Sequence, residues 1–240
     1  MKVLTSFPLM ALTALFLLAG VSNISAQDFF SDTNAFINGC VEDGKVDYES
    51  LIQDPSQLNK LYEQVASYSL KSDRSDYPFY MNAYNIIVIK SVIDHSPIGS
   101  PMDVKGFFDG ISHTIAGKEM TLNDLENKLI RPVYNDARIH FALVCGAIGC
   151  PQLASVGFTP KNVEGLLNKR TSKAMDDANF IKVDEGAETV AISKIFEWYR
   201  SDFGTTDAEI IEYINKYRSV AIPTNYKISY YEYDWTLNAQ

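Results

Sequence analysis

The chain has 240 residues, of which 46% are hydrophobic and 12% aromatic, and it carries a formal net charge of −9. This acidic balance, without a cluster of Lys and Arg, argues against nucleic acid or an anionic membrane surface as a partner, because both bind basic patches. The length is sufficient for one domain with a proper hydrophobic core.

The first 26 residues predict a secretory signal peptide. Lys2 supplies a basic start, residues 7–21 form a nearly unbroken apolar run, and the small residue Ala26 fits the cleavage position. A membrane anchor is disfavoured because a span needs roughly 20 apolar residues, and no basic cluster follows the run. We therefore expect an exported protein, periplasmic or secreted, without a stable membrane anchor. Its mature part, residues 27–240, lacks repeats and linkers and is expected to be a single domain.

Hydrophobic spacing predicts mainly helices in the first half of the mature chain. The apolar face of the second helix begins after Ser56, and Pro78 fits the first turn of a strongly apolar third helix. The predicted elements, in order, are helix 29–40, a turn and extended segment over 44–48, helix 56–68, helix 78–93, loop 96–110, a hairpin over 113–120, and helix 122–131 capped by Thr121.

The second half alternates predicted strands with helices. Residues 139–144 form a short apolar run between turn residues, which indicates a buried strand. The other predicted elements are helix 160–175, a hairpin over 180–192, a short aromatic helix capped by Ser193, helix 207–217 and strand 227–233. Together the elements predict an α+β fold in which helices pack on a small, mostly antiparallel sheet.

Two amides lie on the apolar helix that begins near Pro78. Asn82 and Asn85 are three residues apart, so they share a helical face, and Tyr84 lies between them. They are candidates for binding a substrate carbonyl or orienting a catalytic group. The alternative is structural, because a buried amide needs a partner and most find one inside the protein.

The segment Arg138–Pro151 carries two cysteines in a loop rich in glycine. A thiolate at Cys145 with the imidazole of His140 nearby is the minimum for nucleophilic acyl chemistry, and Arg138 is a candidate for substrate binding. Along a regular strand His140 and Cys145 would face opposite sides, so the chain must turn for them to meet. The alternative is a disulfide between Cys145 and Cys150, which suits an oxidising compartment.

Other candidate groups have more than one interpretation. Glu126 could pair with Arg138, orient His140, or simply lie in a solvated ion pair. The three His and three Cys lack the paired spacing of a metal site, so we expect no metal and no other cofactor. Four aromatic residues near the C-terminus are typical of core packing rather than of a ligand platform: Tyr230, Tyr231, Tyr233 and Trp235.

Six segments in order resemble the motifs of a known family, the domain of unknown function numbered 547, over residues 36–238. The segments are GKVDY at 44–48, FYMNAYN at 79–85, LNDLENKLIR at 122–131, RIHFALVCGAIGCPQL at 138–153, SKIFEWYRSDF at 193–203 and YDWTLN at 233–238. The resemblance implies a papain-like or transglutaminase-like arrangement, with Cys145 as nucleophile, His140 as base and Glu126 or an asparagine as the orienting group.

Two features depart from that arrangement: His140 precedes Cys145, and Ala147 replaces a serine of the family pattern. The leading hypothesis is a cysteine-dependent hydrolase or transferase that acts on an amide or ester of a small-molecule or peptide-like substrate. The alternative is a non-catalytic extracytoplasmic ligand-binding domain with a disulfide-stabilised loop. A third interpretation gives the motifs a purely structural role.

Overall fold

The computed structural model describes residues 26–240. The predicted signal peptide therefore lies outside the described residues, apart from Ala26, which begins the first helix. Within the described part, no helix is long and apolar enough to cross a membrane.

The first half of the described chain is mainly helical, as its spacing predicts. Helix α4 begins at Tyr77, so Pro78 lies in its first turn as predicted, and the apolar face predicted for α3 is buried. The elements are α1 (Ala26–Cys40), β1 (Val41–Glu42), β2 (Lys45–Val46), α2 (Tyr48–Gln53), α3 (Ser56–Ser67), α4 (Tyr77–Asp94), β3 (His113–Ile115), β4 (Lys118–Met120), α5 (Leu122–Asp124) and α6 (Arg131–Tyr134).

The second half combines helices with a three-stranded sheet. Its elements are α7 (Val163–Asp176), β5 (Ile181–Asp184), β6 (Thr189–Ile192), α8 (Ile195–Trp198), α9 (Arg200–Phe203), α10 (Asp207–Asn215) and β7 (Lys227–Tyr230). Strands β5 and β6 form the predicted antiparallel hairpin, whereas β7 pairs parallel to β6. The parallel pairing is possible because α8, α9 and α10 carry the chain across before β7 begins. The α+β prediction is confirmed.

The strand predicted over residues 139–144 is wrong. The segment contains a 3₁₀-helix, Ala137–Phe141, and then runs without regular structure. Asp136 caps this helix by accepting a hydrogen bond from the Arg138 amide at 3.0 Å. A short buried apolar run does not distinguish a strand from a helical segment by periodicity, and here the local cap decides.

Smaller differences concern element ends. The helix predicted from residue 160 begins at Val163, because Thr159 and Asn162 bond each other reciprocally in a preceding turn. The helix that Thr121 caps continues through a π-helical stretch, Leu125–Ile130, into α6. Strand β7 ends at Tyr230 rather than at residue 233.

The core consists of two clusters of buried side chains. One is built around α1, α3 and the almost fully buried α4, and the other around β5–β7 and α8–α10. The segment after Tyr134 runs between them: Ile139 and Val144 belong to the first cluster, whereas Phe141 and Ala147 belong to the second. Side chains of this segment therefore reach the junction of the clusters.

Candidate active site

A cavity of about 290 Å³ opens where the two clusters meet. Aromatic rings make up much of its wall, and its polar lining combines a carboxylate, an imidazole and two sulfur atoms. The lining residues are Tyr84, Phe108, Asn123, Glu126, His140, Leu143, Cys145, Cys150, Ile195, Trp198, Tyr199, Tyr233 and Trp235. The cavity thus brings together Cys145, His140 and Glu126, the three residues that the resemblance implies for catalysis.

His140 lies between two carboxylates. Its side chain is only 2% exposed, Nε2 donates to Asp202 Oδ2 at 2.8 Å, and Nδ1 is 4.0 Å from Glu126 Oε1. Tyr199 stacks on the imidazole, with the ring centroids 4.1 Å apart. Both nitrogens of the ring therefore face acidic oxygens, and the ring plane is fixed by an aromatic neighbour.

Asp202 is a site residue that the sequence reasoning missed. It lies on α9 and also accepts two hydrogen bonds from Arg131, from Nε and Nη2, each at 2.8 Å. Burial disfavours its charged form, but the hydrogen bonds from His140 and Arg131 prevail and hold the Asp202 pKa well below its usual range. Its position in the SKIFEWYRSDF motif could have indicated it as a candidate, because the same motif also supplies Trp198 and Tyr199 to the cavity wall.

Glu126 lies on the π-helical stretch that precedes α6. It is buried, so the interpretation as a solvated ion pair is not what the structure shows. Burial, together with the nearby charge of Glu126, raises the pKa of Tyr84 and Tyr199, so their hydroxyls stay protonated. A π-helical turn inside an α-helix is a common feature of functional sites, and here it carries the acidic residue of the cavity.

The two cysteines of the loop are joined in the structure. A disulfide links Cys145 and Cys150, and the Tyr233 hydroxyl lies 3.1 Å from the first sulfur and 3.0 Å from the second. The Cys145 amide also donates to the Cys150 sulfur at 2.9 Å. In this state Cys145 offers no thiolate. Cys40, the last residue of α1, is a free cysteine, and burial raises its pKa to about 12.

The predicted binding amides serve the fold in the structure. Asn82 donates to the Phe158 carbonyl at 2.8 Å and accepts from the Phe158 amide at 2.9 Å. Asn85 does the same with the Ala142 carbonyl and the Val144 amide, at 3.0 and 2.9 Å. Each amide thus fastens a loop to α4, and neither lines the cavity.

Of the other predicted binding residues, Tyr84 lines the cavity and Arg138 does not. Arg138 forms an ion pair with Asp136 at 2.6 Å and with Glu164 at 2.8 Å, and it donates to Asn168. It therefore fastens the 3₁₀-helix to α7 and pairs with neither Glu126 nor a group in the cavity.

The cavity can hold a small molecule against aromatic walls and present it to a fixed acid–imidazole pair. Within residues 26–240, no group of three His, Cys, Asp or Glu side chains is arranged to hold a metal ion. The lining of the cavity offers hydrogen bonding, charge and aromatic contact and, if the disulfide opens, sulfur.

Comparison with known proteins gives one match. Residues 68–173 match a family model described as protein of unknown function, DUF547. No curated protein and no solved structure matches the chain. The matched segment includes the FYMNAYN helix and the RIHFALVCGAIGCPQL segment, which carry the two amides, His140 and both loop cysteines. The matched segment is less than half of the chain, and it agrees with the resemblance that the motifs in this segment show.

Proposed function

We propose that the chain is an exported ligand-binding domain whose aromatic cavity holds a small organic molecule. The observation that supports this proposal is the cavity itself, whose aromatic walls surround the buried carboxylate of Glu126 and the imidazole of His140. Concave, largely apolar sites with a few convergent polar groups are where proteins bind small molecules. The disulfide favours binding over thiol catalysis, because it leaves no free nucleophilic sulfur in the cavity.

The lining indicates what kind of molecule fits. Trp198, Tyr233 and Trp235 form a cluster with ring centroids 4.7 to 5.9 Å apart, and Trp198 is 47% exposed. Aromatic faces attract organic cations, and a buried carboxylate such as Glu126 adds charge complementarity. We expect a ligand with an apolar body and a cationic or hydrogen-bond-donating group directed at Glu126.

Tryptophan fluorescence tests this proposal directly, because the chain has two tryptophans and both line the cavity. The purified protein is titrated with benzyltrimethylammonium, benzyl alcohol and benzoate, which share a ring and differ in charge. The cation is expected to change the emission saturably and to bind at least about tenfold more tightly than benzoate.

Glu126→Gln is expected to remove the preference for the cation while leaving the response to benzyl alcohol in place. The matched control is Glu164→Gln, which changes an exposed carboxylate outside the cavity and is expected to leave the preference intact. The absence of any saturable emission change with all three probes, or tighter binding of benzoate than of the cation, contradicts the proposal.

A second candidate is a cysteine-dependent hydrolase or transferase that acts on an amide or ester. It is favoured by one observation, that Cys145, His140 and Glu126 line the same cavity. It requires the disulfide to open and His140 to turn a nitrogen toward the released sulfur.

Thiol mapping separates the two candidates. The protein is treated with a cysteine-reactive probe at graded pH, with and without reductant, and its peptides are identified by mass. Fast labelling of Cys145 well below pH 8.5, slowed by His140→Ala, supports the enzyme. A Cys145 that stays linked to Cys150, or that labels only after denaturation, rules it out.

A further inference from the structure

A second cavity, of about 390 Å³, lies on the other side of the disulfide loop. Cys150 lines both cavities, so it forms part of the wall between them. The second cavity has a different chemical character, because its lining includes three basic residues: Arg170, Lys173 and Lys182.

Arg170 is the buried member of this basic group. It lies on α7 and is only 8% exposed. Within residues 26–240, no hydrogen bond and no ion pair joins its guanidinium to another group, and its Nε is a buried donor without an acceptor. Burial disfavours the charged form of this side chain and so lowers the pKa of Arg170. Nε is therefore a donor that is cut off from water and lacks an acceptor, which is unfavourable, and an anion bound beside it would supply that acceptor.

The carboxylates around the cavity do not supply that anion. Asp177 accepts from the Asn179 amide at 2.8 Å, and Asp234 accepts from the Thr236 amide at 2.9 Å. Glu232 is exposed and pairs with Lys194 at 3.3 Å. These three carboxylate residues are exposed or half-buried, whereas Arg170 is buried.

Two lysines strengthen the positive field. Lys173 is three residues after Arg170 on α7, so both side chains project from the same face of the helix. Lys182 reaches the cavity from β5, and its ammonium lies 4.2 Å from the centre of the Tyr231 ring. The buried guanidinium and the two exposed ammonium groups thus line the same cavity, together with the three carboxylates named above.

We propose that the second cavity binds the oxyanion group of a small molecule, a carboxylate or a phosphate, through the guanidinium of Arg170. The planar fork of arginine matches two oxygens of such a group, which would satisfy the unpaired donors. Lys173 and Lys182 would contact the outer oxygens. The site is independent of the aromatic cavity, and its test does not depend on the function proposed for that cavity.

The experiment measures thermal unfolding of the purified protein at increasing concentrations of sodium phosphate or sodium malonate, with ionic strength held constant by sodium chloride. A ligand that binds the folded state raises the melting temperature saturably. At least one of the two anions is expected to do so, and which one does identifies the phosphate or the carboxylate as the group recognised.

Variants assign the effect to the site. Arg170→Met is expected to abolish the response and to raise the melting temperature of the anion-free protein, because it removes a buried unpaired charge. Arg170→Lys keeps the charge but loses the fork, and it is expected to weaken binding at least about tenfold. Lys169→Met, which changes an exposed lysine on the same helix, serves as the control and is expected to respond like the parent protein.

The proposal is overturned if neither anion gives a saturable shift in the parent protein. It is also overturned if Arg170→Met and the parent protein respond equally. Should Arg170→Met fold poorly, isothermal titration of the anion into the Arg170→Lys variant decides, and unchanged affinity there counts against the site.

Discussion

His140 is held from three directions: Asp202 bonds Nε2, Glu126 faces Nδ1, and Tyr199 covers the ring. Such an imidazole has its orientation fixed: Nε2 is bonded to Asp202, whereas Nδ1 lies 4.0 Å from Glu126, beyond hydrogen-bond distance. The environment suits a residue that shapes the electrostatic field of the cavity. In the binding function proposed above, His140 contributes a fixed polar group to the cavity wall.

Asp202→Asn tests how much this network stabilises the fold. The substitution removes a carboxylate that accepts charge-assisted bonds from His140 and Arg131, so we expect the free energy of unfolding at pH 7 to fall by about 2 kcal/mol. Because the folded pKa of Asp202 is depressed, its stabilisation is complete above the unfolded pKa of about 3.9 and is lost as pH falls below it.

Urea unfolding of both proteins between pH 3 and pH 7 measures this difference. The gap between parent and variant is expected to stay constant from pH 7 to about pH 5 and to narrow below about pH 4. Asp94→Asn, which removes an exposed carboxylate paired with Lys90 on the same helix, is the control and is expected to cost less. If the difference in free energy of unfolding between the two proteins is as large at pH 3 as at pH 7, the charge of Asp202 is not the cause of the stabilisation.

Asn85→Ala addresses the structural role of the amides. It strands the Ala142 carbonyl and the Val144 amide inside the protein, so we expect a loss of about 3 kcal/mol in the free energy of unfolding. Asn59→Ala, at an exposed position of α3, is expected to change stability by less than about 0.5 kcal/mol. Chemical denaturation compares them, and a loss in Asn85→Ala no larger than in the control would refute the structural role.

The loop between Cys145 and Cys150 is the element that both cavities share. It begins after the 3₁₀-helix, and the C-terminal segment fastens it: the Ile148 amide donates to the Thr236 carbonyl at 2.7 Å, and the Gly149 amide to the Asp234 carbonyl at 2.8 Å. Gly149 is required here, since a Cβ would lie 2.9 Å from the Asp234 carbonyl oxygen. The disulfide therefore closes a loop that is already held by the backbone.

Reduction of the disulfide is expected to lower the free energy of unfolding by about 2 kcal/mol, the loop-closure contribution of a ring this small. The double variant Cys145→Ser/Cys150→Ser should have the same free energy of unfolding as the parent protein with its disulfide reduced. Dithiothreitol should not change that value. Cys40→Ala should keep the full response, because Cys40 is outside the bridge. Denaturation with and without dithiothreitol measures all three, and a parent protein unaffected by reductant would contradict the bridge.

At the scale of the whole molecule, the two core clusters are joined by shared segments of the chain. The segment 139–147 contributes buried side chains to both, and Cys150 packs against each of them. The C-terminal end also returns to the first half, where the Val46 amide donates to the Asn238 carbonyl at 2.9 Å and Tyr48 donates to the Asn238 side chain.

We therefore expect one cooperative unfolding transition. Both tryptophans line the aromatic cavity, so tryptophan fluorescence reports on that region. The helices are spread along the chain, so far-UV circular dichroism reports on the whole described part. Urea curves from tryptophan fluorescence and far-UV circular dichroism should have the same midpoint. Two separate midpoints would show that the clusters unfold independently.

Much of the fold could be predicted from local patterns. Helices α1, α3 and α4, the hairpin β3–β4 and the hairpin β5–β6 follow from hydrophobic spacing, caps and turn residues. The residues around His140 could not be assigned in this way. Their apolar run fits a strand equally well, and the bonds that a neighbouring strand would supply come instead from the side chain of Asn85, 59 residues away from Val144.

By itself the sequence determined the α+β class, most of the helices, and the motifs whose residues gather around one cavity. Only the tertiary structure decided which of those residues meet. It placed Asp202 rather than Cys145 on His140, turned Asn82 and Asn85 toward backbone groups, and left Arg170 buried without a partner. The physical reason is that hydrogen-bond partners and burial depend on contacts between residues distant in the chain, which local periodicity does not encode.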